Sequence, residues 1–243
     1  MVYESLALVP HTVIVVSNID LTIDASVVEP STFLNSSFRG FVLNINNDYR
    51  YMKMGYYVSL HAEVLGDPVI PTSEDGIDAY RHPILLMRAA KAGIPTLPYI
   101  VTDSAKLMIS EFGFPLMIFA VNPFSNGGFR IAQNRSALYR ALRSLGLNHK
   151  YAVCVQPLVG EVVSVKSVFG KCDGDSNVGD VAKSFYEVFK LPICKLHLQR
   201  FKDKAYLCGI EPLKMEEVLP SDLRLISEEV SRISKFGEKY WLE

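Results

Sequence analysis

The feature that most constrains the fold is a regular succession of apolar strands and amphipathic helices between residues 83 and 156. Hydrophobic periodicity predicts strands and helices in the order 83–92 helix, 98–102 strand, 105–112 helix, 115–121 strand, 129–133 strand, 135–145 helix and 151–156 strand. Gly93 and Pro95 end the first helix, and Asp103 or Ser104 can cap the second. Short strands alternating with single helices predict an α/β lobe.

The residues before this region predict a small α/β lobe of their own. β-branched residues over 11–23 and an apolar run within 39–47 predict two strands, and 69–71 predicts a third. Apolar residues at helical spacing between the second and third strands predict a helix that ends at Gly66. The acidic stretch 74–80 is predicted to be a hinge between this lobe and the next.

The residues after 160 predict a third unit. Its expected elements are a strand from 161 to a glycine turn, a polar loop over 172–180, a helix over 178–190, strands over 192–201 and 204–211, and a helix over 221–235. The expected organisation is an N-terminal lobe over 1–77 and a core over 78–243. The core is expected to divide into subdomains 78–155 and 156–243.

Composition and charge exclude several classes of protein. With 49% hydrophobic and 21% charged residues, the chain can bury a substantial core and is not a disordered tail. The formal net charge is −1 and the lysines and arginines are scattered, which predicts no basic face and no nucleic-acid partner. The apolar run at 13–16 is too short to span a bilayer, and no secretory leader pattern is evident. The expectation is a cytoplasmic protein with no membrane partner.

The four cysteines are predicted to be buried, reduced thiols. Cys154, Cys172, Cys194 and Cys208 are widely spaced, with no C-x-x-C pair and no histidine spacing suited to zinc. Three of them lie in apolar, strand-like runs, where a free cysteine behaves as a small hydrophobic residue. This pattern favours a structural role in a reducing compartment.

A glycine-bearing turn follows the strand 115–121 and has two interpretations. The turn consists of Ser125, Asn126, Gly127 and Gly128. It can be an ordinary hairpin turn, for which this composition is common. It can also cradle a phosphate, because glycines let backbone N–H groups approach phosphate oxygens without a Cβ in the way. Its position between an apolar strand closed by Asn122-Pro123 and a helix-forming run favours the phosphate cradle.

Two longer patterns resemble a known family. The order of elements between Tyr80 and Gly160, with the glycine turn and the closing sequence QPLVGE, resembles the ATP-grasp superfamily. The segment LNINNDYRYMKMGYYVSLHAEVLGDPVIP resembles the N-terminal domain that precedes the catalytic core in RimK-type ATP-grasp proteins. The matching residues there are Asn44, Tyr49, Arg50, Tyr51, Gly55, Tyr56, Tyr57, Ala62, Glu63, Gly66, Val69, Ile70 and Pro71. The resemblance implies an N-terminal α/β lobe followed by a compact, shortened ATP-grasp-like core of two α+β subdomains.

The resemblance also implies ATP as a cofactor and assigns residues to it. The two lysines that contact the nucleotide phosphates in the family correspond to Asn122 and to Arg81 or His82, and Arg130 can add a charge after the turn. The positions that hold the adenine edge and the ribose correspond to Gln156, Leu158, Val159 and Glu161. The alternative for this last segment is an ordinary strand end.

Magnesium is the second cofactor that the resemblance implies. Family members hold it with an acidic residue on a late strand and a Glu-x-Asn sequence on the last, because Mg²⁺ prefers hard oxygen ligands. Glu211 matches, whereas Lys195 or His197 stands at the acidic position and Leu213 at the asparagine. Lys195 and Lys214 either place positive charge where the metals would lie or are solvated surface lysines.

The aromatic and arginine cluster of the N-terminal lobe is a candidate substrate site. It comprises Tyr49, Arg50, Tyr51 and Tyr56. These residues can line a substrate pocket, or the tyrosines can cover an interface between lobes with Arg50 paired to a carboxylate.

The function implied by the resemblance is an ATP-dependent carboxylate–amine ligase that forms an acyl phosphate and passes it to an amine. The alternative is a degenerate ATP-grasp module that binds a nucleotide, a small carboxylate or a protein partner without turnover. A third interpretation is a plain α/β scaffold with structural glycine turns. Each is compatible with a homo-oligomer or a companion subunit.

Overall fold

A computed structural model of the chain describes residues 12–21, 23, 27–121 and 128–236. These residues form an N-terminal lobe and two core subdomains, each built around one β-sheet. The predicted α/β class, with an N-terminal lobe and a core of two subdomains, is therefore confirmed. No helix among the described residues is long and apolar enough to cross a lipid bilayer.

The N-terminal lobe has a four-stranded parallel sheet connected by helices. Its elements are β1 (Val13–Ser17), β2 (Val27–Val28), α1 (Pro30–Leu34), β3 (Phe41–Ile45), α2 (Met54–Leu65), β4 (Val69–Ile70) and α3 (Ser73–Tyr80). The sheet order is β2-β1-β3-β4. The strands β1 and β3 are central and almost fully buried, which explains why their sequences are continuous apolar runs instead of alternating ones.

The first core subdomain is an antiparallel sheet with two helices on one face. Its elements are α4 (His82–Lys91), β5 (Ile100–Thr102), α5 (Ala105–Phe112), β6 (Leu116–Ala120), β7 (Phe129–Ala132), α6 (Arg135–Leu145) and β8 (Val153–Pro157). The sheet order is β5-β8-β6-β7. Met108 of α5 and Leu138 of α6 pack with Ile118 of β6 in one buried cluster, so the two helices cover the same face.

The second core subdomain has a three-stranded antiparallel sheet. Its elements are β9 (Glu161–Val168), α7 (Ser176–Phe189), β10 (Ile193–Phe201), β11 (Lys204–Glu211), a 3-10 turn (Met215–Glu217) and α8 (Pro220–Phe236). The central strand β10 pairs with both neighbours, in the order β11-β10-β9. Ser164 of β9 and His197 of β10 are register partners. The side chains of directly opposed residues project from the same face of a sheet, so these two lie on one face.

The largest buried cluster joins the N-terminal lobe to the second core subdomain. Leu43 and Tyr49 of the lobe belong to the same cluster as Phe185 of α7 and Leu196 of β10. Residues that are distant in sequence therefore share one hydrophobic core in these two units. The first core subdomain has a separate cluster between its sheet and its helices.

The predicted hinge at 74–80 is wrong, because these residues form the helix α3. The Thr72 hydroxyl caps its first turn by accepting a hydrogen bond from the Asp75 backbone N–H at 3.0 Å. The acidic residues lie near the positive end of the helix dipole. Arg88 of α4 then bridges Asp75 and Asp78 at 2.8 and 2.9 Å and fixes α3 against α4.

Two predicted loops are also shorter than expected. In the sequence, Pro30, Ser31, Ser36 and Ser37 predict a loop before the second strand, but residues 30–34 form α1. Pro30 lies in its first turn, where the missing N–H of proline costs nothing. The polar stretch 172–180 contains the start of α7 at Ser176. Asp175 caps that helix by accepting from the Val178 N–H at 3.1 Å. The second error arises because a polar residue of the expected loop caps a helix, whereas the start of α1 is marked by Pro30 and has no side-chain cap.

The prediction of free, mostly buried cysteines is confirmed. All four thiols are free; Cys154, Cys194 and Cys208 are buried, and Cys172 is partly exposed. Burial raises the pKa of Cys154 and of Cys208 to about 12 and raises that of Cys194 further. These three thiols are therefore protonated at neutral pH and unreactive.

Only Cys172 is expected to react with a disulfide reagent such as DTNB in the native protein. Its pKa is raised by partial burial and by nearby Asp173 and Asp175, so its reaction should be slow but measurable. Titration should release one equivalent of chromophore from the native protein and four after denaturation, matching the four cysteines. A Cys172→Ser variant that still reacts before denaturation would contradict this arrangement.

Candidate functional site

The two antiparallel core sheets pack against each other across an apolar junction. Five fully buried residues form its centre and come from both sheets and from α4: Leu86, Met117, Phe119, Cys154 and Cys208. Partly buried Phe129 and Val162 extend this cluster at its edges. These apolar side chains pack between the two sheets at the centre of the junction, and polar groups flank them.

His82 occupies the junction at the first turn of α4. Its ring stacks on Phe119, with centroids 3.6 Å apart and planes inclined by 22°. Its Nε2 donates a hydrogen bond to the Cys208 carbonyl oxygen at 2.7 Å. A Cβ at Gly209 would lie 2.5 Å from the ring, so the glycine makes this close approach possible. Burial, helped by nearby His197, lowers the pKa of His82 from 6.5 to about 3. The imidazole is neutral, which does not support its predicted role as a phosphate-binding cation.

The glycine turn is described only at its end. Asn122, Ser125, Asn126 and Gly127 lie outside the described residues, so their predicted roles stay predictions. Gly128 has φ of +79°. A Cβ added there would lie 2.8 Å from Glu211 Oε1. The structure thereby brings the end of the predicted phosphate turn next to the predicted metal ligand.

Two of the predicted phosphate-binding cations are exposed. Arg81 lies at the start of α4 and makes no side-chain capping bond. Arg130 lies on β7, directly after the turn, and its guanidinium donates to the Phe129 carbonyl oxygen at 3.1 Å. Neither forms an ion pair with another described residue, so both guanidinium groups are accessible to an anion.

A chain of polar groups runs across the face of the second sheet. The Ser164 hydroxyl lies 2.8 Å from Nδ1 of the buried His197. On the other side of the ring, Nε2 lies 3.4 Å from Glu211 Oε1, which is long for a hydrogen bond but close enough for an electrostatic contact. The pKa of Glu211 is lowered first by His197 and then by Lys195 and Lys214. Glu211 is therefore held as a carboxylate by positive and polar neighbours.

The residues around Glu211 do not fit a magnesium site. Lys195 is the direct register partner of Glu211 and forms an ion pair with Glu217. Leu213, at the position of the expected asparagine, is fully buried and apolar. No group of three or more His, Cys, Asp or Glu side chains among the described residues could hold a metal ion. One carboxylate beside an ammonium group is a poor donor set for a hard dication.

Lys214 differs from Lys195 in its environment. Its side chain is exposed, and its backbone N–H donates to Glu217 Oε2 at 3.2 Å. The side chain of Lys195 is only 16% exposed. Lys195 therefore places a partly buried positive charge beside Glu211, as one of the two interpretations expected, whereas Lys214 has a solvated side chain.

The predicted adenine-binding segment is already engaged in hydrogen bonds. The Leu158 N–H donates to the Pro115 carbonyl oxygen at 3.0 Å, and the Val159 N–H donates to Gln199 Oε1 at 2.8 Å. Gln156 is fully buried and donates through Nε2 to Leu97 at 3.3 Å, whereas its Oε1 has no partner. A buried acceptor without a partner is uncommon and is a candidate contact for a ligand.

Glu161, the predicted ribose contact, is exposed at the first residue of β9. Gly160 precedes it in a tight approach to β10, because an added Cβ would lie 2.1 Å from the Arg200 carbonyl oxygen. Side chains alternate along β9 and Val162 packs into the junction, so Glu161 projects from the opposite face of the sheet. There it lines a cavity with Asp175 and Arg200, away from the other predicted nucleotide contacts.

Tyr49 is a core residue and not an accessible substrate contact. It is 1% exposed, its hydroxyl donates to the Asn44 carbonyl oxygen at 3.0 Å, and it accepts from the Asn46 N–H at 3.1 Å. Burial raises its pKa well above 10. Asn47 extends from the same loop to the Leu213 carbonyl oxygen at 2.9 Å, so this loop docks beside Glu211.

The other members of the aromatic cluster are less buried than Tyr49. Arg50 is partly buried and forms a salt bridge with Asp48 at 2.7 Å. Tyr51 and Tyr56 meet edge to face at 5.2 Å; Tyr51 is exposed and Tyr56 is partly buried. The paired arginine agrees with the alternative in which this cluster is structural, whereas the exposed ring of Tyr51 remains a candidate contact.

Sequence reasoning missed Ser164, Gln199 and Glu217. A signal was present in β10, where Lys195, His197 and Gln199 alternate with apolar residues, which predicts one polar strand face. The partners of that face depend on strand register and could not be read from a single segment.

Comparisons with known proteins agree with this architecture. A profile of the RimK-like ATPgrasp N-terminal domain family matches residues 31–229. A search of curated protein sequences found no match.

Several solved structures share the fold at low sequence identity. The RimK domain protein ATP-grasp from Sphaerobacter thermophilus has a TM-score of 0.63 at 14% identity, over 92% of this chain and 98% of that one. The D-alanine–D-alanine ligase from Bacillus anthracis complexed with ATP has a TM-score of 0.61 at 15% identity, over 93% and 99%. The D-alanine–D-alanine ligase from Helicobacter pylori has a TM-score of 0.58 at 16% identity, over 79% and 70%.

Proposed function

The chain belongs to the RimK-like ATPgrasp N-terminal domain family, and from this premise we propose that it is an ATP-grasp module that binds a nucleotide without magnesium-dependent phosphoryl transfer. The observation that carries the proposal is that Lys195 of β10 is the register partner of Glu211 of β11. It therefore stands where the family resemblance implies a metal held between carboxylates. An ammonium group at this position repels a dication and competes with it for the carboxylate.

Phosphoryl transfer depends mainly on charges that are positioned around the phosphate groups. In this chain His82 is neutral and inside the apolar junction, and Leu213 supplies no oxygen ligand. The accessible cations among the predicted phosphate contacts are Arg81 and Arg130, which can neutralise a phosphate but would not supply the Lewis-acid chemistry of a metal ion. These residues support anion binding better than catalysis.

Nucleotide binding is supported by a different part of the site. The buried Oε1 of Gln156 lacks a partner and would be satisfied by an amino group such as that of a base. Gly128, the last residue of the glycine turn, precedes Phe129 at the edge of the same junction and lies beside Glu211. The structurally similar D-alanine–D-alanine ligase from Bacillus anthracis is complexed with ATP, so a protein of this fold can bind a nucleotide. The proposed ligand is therefore ATP or ADP.

Calorimetry with ATP and ADP, with and without magnesium, tests this function. We expect binding of both nucleotides with a dissociation constant that magnesium changes little, and no phosphate release above the background. Magnesium-dependent phosphate release would contradict the absence of turnover. No heat at millimolar nucleotide would contradict nucleotide binding.

A matched pair of glycine variants locates the binding site. Gly128 and Gly93 have nearly the same φ, +79° and +80°, so alanine strains the backbone equally at both. The added Cβ would meet Glu211 at Gly128 and no atom within 4 Å at Gly93. We expect Gly128→Ala to weaken nucleotide binding and Gly93→Ala to leave it unchanged. Equal effects of the two variants would show that the turn is not part of the site.

An active ATP-dependent carboxylate–amine ligase is the second candidate, favoured by the retained Glu211 and by the fold that the chain shares with ligases. In such a reaction a carboxylate oxygen attacks the γ-phosphorus, ADP leaves, and an amine then displaces phosphate from the acyl phosphate. Lys195 would supply the charge otherwise supplied by metal. Under this candidate Lys195→Met abolishes ADP formation that is stimulated by a carboxylate and an amine.

A further inference from the structure

Charge is strongly segregated along the chain. Residues 112–160 contain no aspartate or glutamate, and the positively charged residues among them are Arg130, Arg135, Arg140, Arg143 and Lys150. This segment has a formal charge of +5, so the remainder of the chain has a formal charge of −6. The sequence-based expectation of scattered basic residues and no basic face is therefore wrong for the first core subdomain.

The helix α6 presents most of these cations on one surface. Arg135, Tyr139 and Arg143 follow one another at intervals of four residues and so lie along one helix ridge, with Arg140 on the adjacent row. The opposite side of the helix, with Leu138 and other apolar residues, is buried against the sheet. We name the outer surface the α6 face, which consists of Arg135, Tyr139, Arg140, Arg143, Leu147, Lys150 and Tyr151.

The positive charges of the α6 face are not neutralised within the described chain. Among the described residues, none of its three arginines or Lys150 forms a salt bridge. Arg140 donates to the Ser136 hydroxyl at 3.3 Å, and Arg143 donates to Asn148 Oδ1 at 3.1 Å; both acceptors are uncharged. The second contact holds the loop after α6 against the end of the helix. These four cations are therefore exposed and have no counter-charge among the described residues.

Exposed aromatic and apolar side chains accompany these cations. On the helix ridge Tyr139 lies between Arg135 and Arg143, and Leu147 and Tyr151 lie in the turn that follows the helix. Tyr139 is 57% exposed, Leu147 45% and Tyr151 41%. Arginine and tyrosine are enriched in protein interfaces, whereas aspartate and glutamate are depleted, and the α6 face has this composition. Guanidinium groups also bind carboxylates through two parallel hydrogen bonds.

We propose that the α6 face binds an acidic segment of a protein partner. The exposed side chain of Leu147 favours a polypeptide partner over a nucleic acid, because an aliphatic group forms no favourable contact with a phosphate backbone. The overall formal charge of −1 also opposes a long polyanion, which would meet the acidic remainder of the chain. An acidic segment of limited length satisfies both conditions. This inference is independent of the proposed nucleotide site, which lies at the junction of the two core sheets.

Fluorescence anisotropy with a labelled ten-residue Glu-Ser repeat peptide tests the proposal, with a Gln-Ser repeat as the uncharged control. The test variant is Arg135→Gln/Arg140→Gln/Arg143→Gln. The control variant Lys53→Gln/Lys183→Gln/Arg224→Gln removes the same number of exposed positive charges elsewhere. Thermal unfolding of both variants checks that neither substitution disturbs the fold.

We expect saturable binding of the acidic peptide at low salt, weakened about tenfold or more in the α6 variant and by about twofold or less in the control variant. High salt should weaken binding to the wild type. Equal loss in both variants, or no saturable binding to the wild type, would overturn the proposal. Tighter binding of a labelled oligothymidylate than of the peptide would assign the face to nucleic acid instead. Dimerisation of the wild type that the α6 variant loses, without peptide binding, would assign it to a second copy.

Discussion

Acidification from pH 6.5 to pH 4 is expected to lower the free energy of unfolding by about 3 kcal/mol through His82 alone. The pKa of His82 falls from 6.5 to about 3 in the folded protein, mainly because burial disfavours the charged ring. Below pH 6.5 the unfolded chain binds a proton at this histidine, whereas the folded chain binds one only near pH 3. Stability therefore decreases as the pH falls through this window, by about 1.4 kcal/mol per pH unit.

The measurement is urea unfolding of the wild type and His82→Gln at several pH values between 4 and 7. The pKa values of Glu211 and Glu217 are lowered in the folded state. Protonation of these carboxylates at acid pH therefore also lowers the free energy of unfolding, in the wild type and in His82→Gln alike. The contribution of His82 is the difference between the two pH slopes. Replacing the exposed His149 by glutamine is the matched control and should keep the steep slope. Identical slopes for wild type and His82→Gln would contradict a buried neutral imidazole.

Elements with strong periodicity and a recognisable cap could be predicted from sequence. The helices predicted over 105–112 and 135–145 coincide with α5 and α6, because apolar spacing is regular and Ser104 and Asn134 cap them. The helix α3 cannot be predicted in the same way, because its acidic sequence is equally typical of a solvated link. Its cap, Thr72, lies outside that segment, and its stabilising partner, Arg88, lies on another helix.

The candidate site could be predicted only in part, again because the contacts of a residue depend on elements that are distant in sequence. The family pattern named Gly128 and Glu211, which the structure brings together. It could not supply the environment of each residue. Whether His82 is a solvated cation or a buried neutral ring depends on the packing of α4 against β6 and β11. The Ser164–His197 contact likewise depends on the register of two strands.

The junction between the two core sheets is expected to depend most strongly on Phe119. Phe119→Ala should lower the free energy of unfolding by about 3–5 kcal/mol, because it removes a fully buried ring and leaves a cavity. The ring stacks on His82 and lies 5.8 Å from Phe129. Phe119 supplies the only phenyl ring among the five fully buried described residues at the centre of the junction. Chemical denaturation at pH 7 measures the loss.

Tyr139→Ala is the matched control for Phe119→Ala, because it removes an aromatic ring that is 57% exposed and should change stability by less than about 1 kcal/mol. The pH dependence of stability is a second readout. It distinguishes a specific effect of Phe119 on His82 from a general contribution to core packing. The cavity left by Phe119→Ala would admit water beside His82, which weakens the desolvation that lowers its pKa. We therefore expect Phe119→Ala to flatten the pH dependence of stability, as His82→Gln does. A large loss of stability with the pH slope unchanged would mean that Phe119 supports the core without controlling the environment of His82.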